Sequence, residues 1–174
     1  MRANLVKPAD KLTIVAPPGV GSLLPDFALI ELIFFGYRDF VGEPDRVLER
    51  YGFGRAHHRI LHFVHRQPGL TIASLLDILR ITKQSLARVL KDLMDHGYVE
   101  QRSGADDKRQ RLLFLTPKGT ALAIELAEGQ SKRIGVALAE AGPQERIVIE
   151  RFLMGLIDPS TRPEIRQRLG SSKP

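Results

Sequence analysis

The chain has 174 residues, enough for one ordinary domain or a small module with helical extensions, and too few for a large multidomain enzyme. Hydrophobic residues at 43% and charged residues at 26% are the proportions of a chain that buries a core, which excludes wholesale disorder. The absence of cysteine excludes disulfide scaffolds, thiolate zinc sites, cysteine nucleophiles and thiol redox switching, and fits a reducing, cytoplasmic location.

The net charge of +6 is not spread evenly. Residues 1–50 carry 6 basic and 7 acidic side chains, residues 51–118 carry 12 and 6, and residues 119–174 carry 8 and 7. The whole excess lies in the central segment, as expected where that segment meets a polyanion and its flanks do something else.

In residues 1–24, Pro17, Pro18, Gly19 and Gly21 interrupt a partly apolar run, so this stretch is expected to be an extended or disordered arm, neither a secretory signal nor a membrane span. Residues 26–41 carry Phe27, Leu29, Ile30, Leu32, Ile33, Phe34, Phe35, Tyr37 and Phe40, apolar nearly all the way round a helix. Such a helix needs cover on several sides. The segment 25–50 is therefore expected to be a dimerisation helix, ended by Gly42 and Pro44, with a central helix of a monomer as the plainer reading.

A second helix is expected from Arg46 or Gly54 to Arg66, closed by Pro68-Gly69. Thr71 caps a short helix carrying Ile72, Leu75, Leu76 and Leu79, a tight break follows at Arg80-Ile81, and Thr82 caps a third helix. In that helix Leu86, Val89, Leu90, Leu93 and Met94 recur at helical spacing and Gly97 stops it. Two strand-like runs, 98–102 and 111–116, flank a basic loop and read as a hairpin. Pro117 opens a helix that reaches Ala141, Gly142-Pro143 breaks it, and a last helix carries Ile147, Val148, Phe152, Leu153 and Leu156. Residues 119–158 are thus expected to supply C-terminal dimerisation helices, and residues 159–174 a polar tail.

Helix, helix, tight turn, helix, hairpin is the order of a winged helix-turn-helix, so the expected fold is mostly α with a small β-hairpin wing, the DNA-binding lobe spanning 51–118. Placing residues at 100° intervals groups Lys83, Gln84, Ala87, Arg88 and Lys91 opposite the leucine stripe. A major groove accepts such a face: arginine or lysine donates to guanine, glutamine pairs with adenine, and a small residue permits close approach. A solvated helix face is the bland alternative. Against it stands a second basic element, the loop bearing Lys108, Arg109 and Arg111, whose tip suits the negative potential of a narrow minor groove, with Asp107 expected to position Arg109.

The run Leu79-Arg80-Ile81-Thr82-Lys83-Gln84-Ser85-Leu86-Ala87-Arg88, then Gly97-Tyr98-Val99, then Asp107-Lys108-Arg109-Gln110-Arg111 and Leu115-Thr116-Pro117-Lys118-Gly119, resembles the MarR family of bacterial transcriptional regulators, and around the histidine-rich helix its PetP-like branch. The resemblance covers residues 52–120. It implies a homodimer on pseudo-palindromic promoter DNA, with Thr82, Lys83, Gln84, Ser85 and Arg88 facing the major groove and Arg109 entering the minor groove. Arg80 departs from the family, whose members often carry glycine in this turn; a positive φ there would strain an arginine.

The resemblance also implies a small anionic or phenolic effector between the dimerisation helices and the DNA-binding lobe, for which Phe34, Arg38, His58 and His62 are the residues expected to take part. His58, His62 and His65 share one arc of the second helix, so metal or haem ligation is the alternative reading, against a plain polar flank. No carboxylate or thiolate stands nearby in sequence to complete a metal site, and no cofactor is expected. No nucleophile elbow, phosphate loop or paired-carboxylate motif frames Ser85 or His96, so the chain is read as a regulator and not an enzyme, with a protein-interaction module as a further alternative.

Overall fold

The structure is a computed structural model that describes residues 25–104, 108–142 and 144–170. The proposed arm at 1–24 and the tip residues 105–107 of the basic loop, including Asp107, lie outside the described residues. Ten elements follow one another: α1 (Phe27–Glu49), α2 (Arg55–Arg66), β1 (Leu70–Thr71), α3 (Ile72–Leu79), α4 (Lys83–Asp95), β2 (Val99–Ser103), β3 (Arg111–Leu115), α5 (Pro117–Ala141), α6 (Arg146–Leu156) and α7 (Arg162–Gly170). The chain divides into two compact units, residues 1–35 and 36–174.

Threonine hydroxyls start three of the helices. Thr71, Thr82 and Thr116 each accept the backbone N–H three residues on, at 3.1 Å, from Ser74, Ser85 and Gly119. Each satisfies an N–H the helix itself leaves without an acceptor. Between α3 and α4 the chain turns through Arg80 at φ 50° and ψ 44°, the left-handed region, and Arg80 is the one non-glycine residue there among the described residues. The strain expected of this turn is present, and for an arginine it costs about 1–2 kcal/mol.

The strands form one antiparallel sheet in the order β1-β3-β2, with Leu70 opposite Leu113, Val99 opposite Leu115 and Ser103 opposite Arg111. The hairpin of β2 and β3 matches its expected position within a residue. Strand β1 was not expected, because two residues are too few to show an alternation. Leu48, Ile60, Leu61, Val64, Leu75, Leu86, Leu93 and Leu113 are fully buried and join α2, α3, α4 and the sheet in one core.

Two boundaries differ from the sequence reading. Helix α1 does not stop at Gly42 and Pro44 but continues to Glu49, so the next helix begins at Arg55 and not at Arg46. A proline inside a helix removes one hydrogen bond and costs about 3 kcal/mol. Here Val41, Pro44 and Leu48 are all buried on one side of the helix, and that burial offsets the lost bond. The second difference is α7, which occupies most of the segment read as a polar tail. It has no apolar stripe to announce it. Arg162 donates to the Gly155 and Ile157 carbonyls at 2.7 and 2.8 Å, satisfying the end of α6, and Arg168 donates to Gln67 Oε1 at 2.7 Å.

Gly119 marks a close approach. A Cβ built on it would lie 2.0 Å from the Tyr98 carbonyl oxygen, so only glycine lets the first turn of α5 seat against the strand that leads into the wing. Thr116 secures the same junction, its hydroxyl donating to the Gly97 carbonyl at 2.7 Å and its N–H to the Tyr98 carbonyl at 3.1 Å. Among the described residues no helix is long and apolar enough to cross a membrane.

Candidate nucleic-acid interface

Helix α4 divides cleanly along its length. Leu86, Val89, Leu90 and Leu93 are buried, whereas Lys83, Gln84, Ser85, Ala87, Arg88 and Lys91 are exposed, so the helix is fixed by its apolar stripe and presents the opposite side to solvent. The six differ in what already holds them. The Ser85 hydroxyl accepts from Thr82 Oγ1 at 2.9 Å and both are tied up in the N-cap. Lys91 is paired with Asp95 one turn on, and that hydrogen bond raises its pKa above the ordinary lysine value. Lys83 and Arg88 have no carboxylate within 4 Å among the described residues, which leaves two cationic groups within a turn and a half of the helix without an acidic partner there.

The wing supplies a second cationic group. Lys108 and Arg109 are exposed in the turn between β2 and β3. Arg111 donates to Ser103 Oγ at 3.1 Å across the hairpin, and the Gly104 N–H meets the Gln110 carbonyl at 3.1 Å, so the strands stay paired up to the loop. Arg102, which the sequence reading passed over, lies 4.4 Å above the Phe114 ring and is paired with Glu100. A basic residue in a strand two places from an acid gives no signal of that stacking.

A separate pocket of about 290 Å³ lies beside α2, lined by Tyr37, Phe40, Val41, His58, Arg59, His62 and Phe63 among others. Of the four residues expected at an effector site, His58 and His62 line it. Phe34 and Arg38 do not: Phe34 is 61% exposed, and Arg38 is held by Asp39 at 2.8 Å. Burial, then the neighbouring His62, lowers the His58 pKa below the ordinary histidine value, and burial, then Arg66 and His65, lowers that of His62. Both imidazoles are thereby biased to the neutral form. Tyr37 and Arg59, joined by an Arg59 Nη2 to Tyr37 Oη bond of 3.3 Å, complete the wall. His65 is not among the lining residues, and among the described residues no three His, Cys, Asp or Glu side chains are grouped to hold a metal.

A wider, more open groove of about 860 Å³ runs between α1 and α5. It is larger but already neutralised in part, since Arg50 meets Glu125 at 2.5 Å and Arg133 meets Glu43 at 2.8 Å.

Residues 51–110 match the MarR family model. The chain is 49% identical over 133 residues to the HTH-type transcriptional regulator PetP of Rhodobacter capsulatus, covering 76% of this chain and 80% of that protein. It is 27% identical over 86 residues to an uncharacterized HTH-type transcriptional regulator of Staphylococcus aureus, 49% of this chain and 59% of that one. Among solved structures, a Q18P mutant of MepR from a multidrug resistant S. aureus isolate superposes with a TM-score of 0.65 at 17% identity, over 76% of this chain and 96% of that one. The transcriptional regulator SlyA gives 0.62 at 17% identity, over 74% and 90%. At such identities the structures establish the shared fold, whereas the extent and identity of the PetP match establish kinship. The chain belongs to the MarR family of winged-helix transcriptional regulators.

Proposed function

We propose that this regulator acts as a homodimer that sets α4 of each subunit in the major groove of a twofold-symmetric promoter site, with the wing reaching the adjacent minor groove. The observation that carries the reading is the pair Lys83 and Arg88, exposed and without a carboxylate partner among the described residues, on a helix whose other side is locked into the core. Thr82, Gln84, Ser85 and Lys91 lie beside them, and Lys108, Arg109 and Arg111 extend the basic surface along the hairpin. Phosphate contacts from this surface set affinity and its salt dependence, and Arg88 and Gln84 read base edges.

The exposed apolar residues of α1 and α6, among them Phe34, Phe152 and Leu153, support burial against a second copy. The α2 pocket fits a small anionic or phenolic effector: Arg59 supplies the charge, neutral His58 and His62 supply hydrogen bonds, and Phe40 and Phe63 supply ring contact.

Footprinting on the promoter of its own operon, at stated salt, tests the reading. Protection of two half-sites one helical turn apart is the expected result. Replacing Arg88 by alanine should cost about 1–3 kcal/mol of discrimination between that site and a scrambled duplex. Uniform coating of all sequences would overturn it.

A further inference from the structure

Arg88 has an obvious competitor for its charge on its own helix. Asp92 follows it by four residues, the spacing at which an arginine and a carboxylate on one helix face meet and pair. They do not pair here, although Lys91 and Asp95, three residues along, do. The reason lies on α2. His57 Nε2 is 2.9 Å from Asp92 Oδ2, so that oxygen is held toward α2, while His96 Nδ1, at the end of α4, meets the Asp92 backbone carbonyl at 2.9 Å and lies 3.0 Å from Asp92 Oδ1.

The position of His57 is over-determined. Its Nδ1 accepts the Gly54 N–H at 3.1 Å, which leaves Nε2 to carry the proton in the neutral ring and to donate it to Asp92. Its ring stacks on buried Phe53 at 4.6 Å with an interplanar angle of 12°, and its side chain is only 14% exposed. Phe53 meets His96 edge-on at 5.7 Å, so both imidazoles beside Asp92 rest against one phenyl ring. His57, Arg88 and Asp92 line a common cleft of about 340 Å³, and the four-residue spacing of Arg88 and Asp92 is one at which the two can pair should the carboxylate be released.

We infer that His57 is a positioning residue for DNA recognition: it draws the Asp92 carboxylate onto α2 and so keeps the Arg88 guanidinium available to a base edge. The inference rests on the reading of α4 as the helix that enters the major groove. It makes Asp92 harmful to recognition only when His57 is missing, which no merely structural contact would do.

The test uses the full-length chain and duplexes selected from a random-sequence pool by the wild-type protein, with the ratio of scrambled to selected Kd as the readout. His57→Phe keeps the ring stack on Phe53 and removes the hydrogen bonds. It should lower the ratio toward the Arg88→Ala value, a loss of about tenfold for one bidentate base contact. His57→Phe combined with Asp92→Ala should recover most of that loss, and His57→Gln, whose amide N–H reaches Asp92, should lose little.

An unchanged ratio in His57→Phe, or a double variant worse than the single, would overturn the inference. A DNA-free measurement separates the two layers. Double-mutant cycles on thermal unfolding should find Arg88 and Asp92 coupled in the His57→Phe background and uncoupled with His57 present. If the wild type selects no sequence, the reading of α4 fails; coupling in that background then still upholds the release of Asp92, and its absence removes that too.

Discussion

The lobe formed by α2, α3, α4 and the sheet contrasts with α6 and the start of α1. In the lobe the apolar stripes are spent within one chain: Leu61, Leu75, Leu93 and Leu113 are fully buried, and no large apolar side chain among the described residues of α2, α3, α4 and the sheet is left exposed. In α6 the order is reversed, with Ile147, Val148, Phe152, Leu153 and Leu156 all exposed, and the first turns of α1 expose Phe27, Ile30, Leu32 and Phe34. The lobe is a finished fold with a charged face; the helices flanking it are complete as helices but not as a folded surface. The excess positive charge of residues 51–118 follows the same division, and the proposed roles require it, since a face that met phosphate and a face that met a like chain would need opposite chemistry.

Substitutions on the two sides of that contrast should behave oppositely. The largest effect is expected in the lobe, where Leu93→Ala, at a site with no exposure, should lower unfolding free energy by about 2–5 kcal/mol in a denaturant titration. A loss under 1 kcal/mol would mean that α4 is not anchored by its stripe. Val148→Lys with Leu153→Lys should leave the lobe's own packing intact, since both side chains are more than half exposed, yet shift sedimentation from dimer to monomer. An unchanged sedimentation coefficient would place the subunit contact elsewhere.

The smallest effect concerns His58 and His62. Both have folded pKa values below the ordinary 6.5, so the unfolded chain binds more protons in the window from 6.5 downward. Stability therefore rises with pH through that window and falls as the solution is acidified. The unfolding midpoint should drop between pH 7.5 and pH 5, and His58→Gln with His62→Gln should flatten the profile. An equally steep decline in the double variant would assign it to other groups.

The lobe was legible because each of its signals is local. Thr71, Thr82 and Pro117 announce helix starts, and Leu86, Val89, Leu90 and Leu93 repeat at the helical period within a dozen residues. Pro44 misled because its local cost is offset by burial against distant residues. Strand β1 and helix α7 carry no period of their own. At the α2 pocket His58 and His62 share one helix and could be found together, whereas Phe34 and Arg38 were chosen for their chemistry on a helix whose facing side the sequence does not reveal. The hold of His57 on Asp92 joins residues 35 apart, and no spacing rule connects them.

The seat of Gly119 on the Tyr98 carbonyl has a mechanical meaning. At 25 residues α5 is a rod about 37 Å long, and its first turn is jammed against the wing's base with no room for a methyl group between them. Such a joint leaves little room to bend, which favours rod and wing moving together. A tilt of α5 would therefore carry the base of the wing with it.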